Sequence, residues 1–156
     1  MIEQSILQTL FAAFALVLQT MLVMNFAARR WRPHLERQWG WLVYTMSLPG
    51  LVLGVLFWVN RQPWYYWLAT LLFAAWAALG YTVDILHPIN WRTPPRLPVF
   101  IPYVALYIAA QFAFWIPLWF IWIGYWIIYA VLYTVSTVLN VPSHFGGRKT
   151  RAGRPV

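Results

Sequence analysis

The chain has 156 residues, of which 62% are hydrophobic and 9% charged, with a formal net charge of +8. Globular domains carry about 25% charged residues, so this composition is that of one membrane-embedded domain and not of an ordinary soluble enzyme. With no cysteine in the chain, disulfides, thiolate metal sites and a cysteine nucleophile are excluded.

The first apolar run covers 5–28 and ends at Arg29 and Arg30. A signal peptide carries its basic residues before an apolar stretch of about 7–15 residues; here the order is reversed and the run is longer. It therefore reads as a retained helix of the length needed to cross a bilayer, about 20 residues. Residues 29–38 form the first loop, basic and broken by Pro33. The second span, 39–59, contains Gly50 and Gly54 in a GxxxG pattern, which lets another backbone approach closely. A short turn at 60–63 leads to the third span, 64–83, which opens on Trp64, Tyr65, Tyr66 and Trp67. The second long loop, 84–98, is rich in proline and should run extended along the membrane surface.

Between Arg96 and Arg148 there is no Asp, Glu, Lys or Arg. A single helix over 97–140 would be about 65 Å long, roughly twice the hydrocarbon thickness. The pattern predicts a helical hairpin, 99–116 and 120–139, turning near Pro117 among Trp115, Trp119, Trp122 and Trp126. Ala105, Ala109 and Ala113 share one face of its first arm and predict a helix-packing stripe. The residues 146–156 form a flexible basic tail beyond the helical domain 1–145.

Charge decides between five spans and a four-span alternative with one long last helix. Five spans place Arg29, Arg30, Arg32, Arg37, Arg92, Arg96, Arg148, Lys149, Arg151 and Arg154 on one side, against Arg61 on the other. Four spans would move the tail charges across and nearly level the two sides. Lys/Arg asymmetry in short loops sets orientation, so the expected fold is an all-α bundle of five transmembrane helices. Its N-terminus is expected outside and its C-terminus in the cytoplasm. The positive charge is read as topology and attraction to anionic lipid, not as a nucleic-acid surface. Arg148, Lys149, Arg151 and Arg154 are the residues expected to contact an anionic surface.

Catalytic material is sparse. The carboxylates are Glu3, Glu36 and Asp84, and the histidines His34, His87 and His144. Their spacing contains no HExxH or repeated histidine box, so no metal site is assigned. Asp84 and His87 share a side if helicity persists that far, with Arg92 or Arg96 the expected partner of Asp84. Gln19 and Gln111, well inside spans, predict interhelical hydrogen bonds. Trp115, Trp119 and Trp122 read as interface anchors or as the wall of a lipophilic-ligand site, with Asp84 and His87 as further cofactor candidates. The ligand classes that suit such a wall are tetrapyrroles, quinones, carotenoids and sterols.

Leu86, His87, Pro88, Trp91, Pro94, Pro95, Leu106 and Tyr107 form a pattern that resembles the Trp-Pro-Pro loop and Leu-Tyr pair of the translocator/tryptophan-rich sensory family. That family consists of small five-span proteins that bind porphyrins and sterols. In the family this loop follows the first helix, whereas here it follows the third, so the resemblance assigns neither family nor residue roles.

Two functions remain as expectations. One is a non-enzymatic accessory or scaffolding subunit, packed against partner membrane subunits or further copies of itself. The other is a small membrane carrier or sensor for a lipophilic ligand.

Overall fold

The computed structural model describes residues 3–89, 91 and 96–145, with side chains through 141. All regular structure among the described residues is helical. Five segments are long and apolar enough to cross a membrane: Gln4–Trp31, Pro33–Val59, Trp64–Leu86, Leu97–Ile121 and Ile123–Val141. The chain is an integral, multi-pass membrane protein of the all-α class. The tail, with Arg148, Lys149, Arg151 and Arg154, lies outside the described residues.

Helix α1 (Gln4–Trp31) buries Leu7, Phe11, Phe14, Ala15, Leu18, Leu22 and Phe26, a three-to-four-residue repeat that marks one continuous face. It stops at Arg32 (φ −140°, ψ 70°) because Pro33 disfavours helical backbone in the residue before it. The loop expected over 29–38 is mostly helix instead. Pro33 is well suited to a first helical position, where no N–H is needed, and it opens α2 (Pro33–Trp39).

Two further helices, α3 (Leu42–Thr45) and α4 (Ser47–Val59), complete the second crossing. The step between them follows from Pro49, which has no N–H to give to the Thr45 carbonyl. Ser47 Oγ donates instead to the Tyr44 carbonyl at 2.7 Å. The crossing closes on Arg61, which adopts φ 54°, while Gln62 N donates back to the Phe57 carbonyl at 2.9 Å. This is a left-handed helix end of the kind glycine usually fills.

Helix α5 (Trp64–Tyr81) runs into a single π turn over Thr82–Leu86. Helix α6 (Leu97–Ile121) carries Pro102 and Pro117 inside it. The hairpin turn expected at Pro117 lies later, at Trp122 (φ −168°, ψ 131°), where one extended residue separates α6 from α7 (Ile123–Phe145). Membrane helices tolerate an internal proline because neighbouring groups re-satisfy the freed carbonyl. At the actual turn the Trp122 ring lies over Gly124, where a Cβ would be 2.6 Å from Cζ2. Stacking of Trp115 on Trp126 (4.9 Å) and contact of Phe112 with Tyr133 (6.2 Å) show the two arms to be antiparallel. The four-span alternative is thereby corrected.

Helices α1, α5 and α6 carry most of the core. Phe11, Phe57, Tyr66, Phe73 and Phe114 meet with ring centroids 4.9 to 6.2 Å apart. In a bilayer such packing and interhelical hydrogen bonds hold helices together, since lipid is as apolar as the helix faces. Gly50 sits under Phe14 and Phe73, its would-be Cβ 3.1 and 3.6 Å from their nearest ring carbons. Gly54 faces Thr70 of α5, so closely that a Cβ would overlap the Thr70 hydroxyl. The small-residue face of α6 is not packed within this chain. Ala105 and Ala109 are exposed and Ala113 half-buried, whereas Tyr103, Tyr107, Ala110, Gln111, Phe114 and Leu118 point inward.

The mid-span glutamines each meet α7. Gln19 Nε2 donates to Ser136 Oγ at 2.8 Å, and Tyr129 Oη donates to Gln111 Oε1 at 2.8 Å. These two bonds tie the least buried crossing to the rest of the bundle.

Candidate functional site

One end of the bundle gathers the chemistry. There α1 ends, α2 turns back across it, and the π turn of the third crossing comes alongside. Arg29 Nη2 and Nε lie 3.1 and 3.3 Å from Glu36 Oε1, spanning the break at Arg32 and fastening α2 to α1.

Asp84 is the second fastening. Its Oδ2 accepts from Tyr44 Oη at 2.6 Å and its Oδ1 from Trp91 Nε1 at 3.0 Å. The π turn places this carboxylate, and backbone bonds from His87 to Thr82 (2.8 Å) and from Ile89 to Val83 (3.1 Å) hold the turn. Tyr44 reaches Asp84 because Gly80 has no side chain: a Cβ there would lie 2.5 Å from Tyr44 Cε1. Trp91 is fully buried, with its ring 4.7 Å from Tyr103, and is anchored into the bundle, while residues 85–89 and 96 are exposed. His87 is exposed and shares no hydrogen bond with Asp84 among the described residues. Arg92, one expected partner of Asp84, lies outside the described residues. Asp84 thus acts as a structural clamp. Neither Tyr44 nor Gly80 drew attention in the sequence: Tyr44 lies 40 residues from Asp84, and the glycine one turn before the carboxylate was the signal available.

Two cavities open at this end. The first holds about 440 Å³ and is walled by Met21, Met24, Ala28, Leu35, Leu42 and Val43, with Arg32 also in its lining. The second holds about 310 Å³ and is polar, lined among others by Arg29, Arg37, Tyr44 and Asp84. Asn25, Glu36 and Gly40 belong to both walls, so the cavities adjoin. Both volumes fall at the lower end of ordinary ligand sites, about 300–1,000 Å³. Gly40 is required there: a Cβ would stand 2.5 Å from the Glu36 carbonyl oxygen and 3.2 Å from Asn25 Oδ1.

The tryptophans singled out as a possible ligand wall sit at the other end. Trp115 stacks on Trp126 and donates its Nε1–H to the Trp126 carbonyl at 3.2 Å, while Trp119 meets Trp126 edge-on at 5.3 Å. Trp119 and Trp122 are 55% and 56% exposed, which suits rings at a headgroup boundary. No three of the described His, Asp or Glu residues converge into a metal-ligating group.

Compared with known proteins, the chain matches no family model, no curated protein and no solved structure.

Proposed function

We propose that this chain is a small, non-enzymatic membrane carrier or sensor that holds a lipophilic ligand at the basic end of its bundle. The observation that carries the reading is the pairing of an apolar cavity of about 440 Å³ with an adjoining polar one. An apolar body with one polar end fits such a pair, since ligand sites combine mostly apolar walls with a few orienting polar groups. Quinones, sterols, carotenoids and tetrapyrroles share that division in different degrees. Arg29, Arg30, Arg32 and Arg37 at this end support a cytoplasmic orientation for it, by the bias of Lys and Arg toward the inner side. Reporter fusions after Ala28 and Val83 should then report cytoplasm, and a fusion at Arg61 the opposite side.

The test is an organic extract of the purified protein, analysed by mass and absorbance. The parent should carry a lipophilic compound near one per chain, and Ala28→Phe, which fills the apolar cavity, should lose it. Equal content in both proteins would refute the site, and an empty parent would refute the reading.

The accessory-subunit reading has one observation in its favour. Ala105 and Ala109 lie on an exposed face of α6, as small residues do where another helix comes close. Stoichiometric partner subunits lost on Ala109→Leu would support it, and a monomer unaffected by that change would not.

A further inference from the structure

Resting on the cavity reading above, we infer that the ligand is an anionic single-chain amphiphile of the fatty-acid type, its carboxylate held by Arg32 and Arg37 and its chain in the apolar cavity. Two of the charged groups at this end are already matched. Arg29 is engaged by Glu36 at 3.1 Å, and Asp84 accepts hydrogen bonds from Tyr44 and Trp91. Arg32 and Arg37 are exposed and reach no carboxylate among the described residues. Arg32 lines the apolar cavity and Arg37 the polar one, and Glu36 and Gly40 stand in both walls. One unmatched cation thus stands in each wall, and the carboxylate between them, Glu36, is already held by Arg29.

An apolar interior bordered by unmatched guanidinium groups selects an acidic head on an apolar chain. Arginine suits a carboxylate in particular, because its planar fork donates two parallel hydrogen bonds to the two oxygens. Asp84, on the π-turn side of the polar cavity, repels an anion that moves deeper and keeps the head near the arginines. Volume then chooses between one chain and two. About 440 Å³ is at the small end of ligand sites and accommodates one folded chain, whereas a two-chain phospholipid would leave its second chain outside. A neutral lipid of equal chain length would fill the same space and leave both cations unanswered.

The experiment uses the full-length protein, stripped of lipid in a non-ionic detergent, and titrates it with oleate, monoolein and dioleoylphosphatidylglycerol under native mass spectrometry. Oleate should bind at one per chain, and at least tenfold more tightly than monoolein or dioleoylphosphatidylglycerol. Arg32→Gln and Arg37→Gln should each weaken oleate by about tenfold, the scale of one charge-assisted hydrogen bond, and leave monoolein unchanged. Arg30→Gln removes the same charge from a residue that lines neither cavity and should leave oleate binding as in the parent. Ala28→Phe should abolish saturable binding of every probe. Equal binding of oleate and monoolein, or equal loss in all three arginine variants, would overturn the anionic head while leaving a lipophile site standing. Tighter binding of the phospholipid would overturn the single chain. Absence of saturable binding by any probe in the parent would overturn the cavity reading itself.

Discussion

Adding one methyl group at Gly54 should destabilise the bundle by about 1–1.5 kcal/mol, the cheaper of two ways to relieve the contact. The new Cβ would overlap Thr70 Oγ1 and lie 3.4 Å from Thr70 Cβ. Thr70 cannot swing clear: it is fully buried, its β-branched side chain has few rotamers, and its hydroxyl donates to the Trp67 carbonyl at 2.8 Å. Either α4 and α5 separate, at an overpacking cost of about 1–3 kcal/mol, or the hydroxyl gives up its bond, at about 0.5–1.5 kcal/mol. Thr70→Ala removes the obstruction, so Gly54→Ala should cost little in that background. Gly124→Ala is the contrast. The atoms it meets belong to the ring of Trp122, which is 56% exposed and free to move, so the effect should stay within about 0.5 kcal/mol. The assay is equilibrium unfolding of the parent and the four variants in bicelles. Additive costs for Gly54→Ala and Thr70→Ala, or a Gly54→Ala protein as stable as the parent, would refute the close contact of α4 and α5.

Arg61→Gly should raise stability by about 0.5–1 kcal/mol in the same assay, because the left-handed backbone at φ 54° no longer strains a side chain. Gln19→Met and Ser136→Ala should show a coupling of about 0.6–1.7 kcal/mol in a double-mutant cycle, the range for hydrogen bonds between membrane helices. Because Gln19 Oε1 already lacks a partner, the double variant should be nearly as stable as the parent. Tyr44→Phe and Gly80→Ala act on the same contact from opposite sides. Each should free the loop held by Asp84, read as faster hydrogen exchange at Trp91 with the remaining crossings unchanged.

The number of crossings was legible because it depends on quantities a sequence displays directly: the length of apolar runs and the side on which arginines fall. What could not be read was direction around each helix. Helix α6 is apolar on nearly every side, so no stripe marks its inner face. The repeat Ala105, Ala109, Ala113 competed with Tyr103, Tyr107, Ala110, Phe114, and only packing distinguishes them. The hairpin turn went to Trp122 and not Pro117 for a related reason. A proline removes only one helical bond, which neighbouring groups can re-satisfy, so it does not by itself end a membrane helix. Pro33 shows the complementary ambiguity, since the same residue ends one helix and begins the next. The candidate site was invisible as a set. Its walls come from α1, α2, α3 and the π turn, and the elements are joined through Arg29–Glu36 and Tyr44–Asp84, pairs that sequence spacing does not announce. The anchoring of Trp91 followed from the same long-range contact.

Whether an amphiphile lies in the basic-end cavity is read most directly from a heavy-atom label on its chain. Crystals grown from a lipidic mesophase with 9,10-dibromostearate allow the bromine positions to be found by anomalous diffraction. The expected result is a peak inside the cavity walled by Met21, Leu42 and Val43, with continuous density leading to Arg32 and Arg37. Bromine found only along the outer faces of α6 and α7, with that cavity empty, would contradict it.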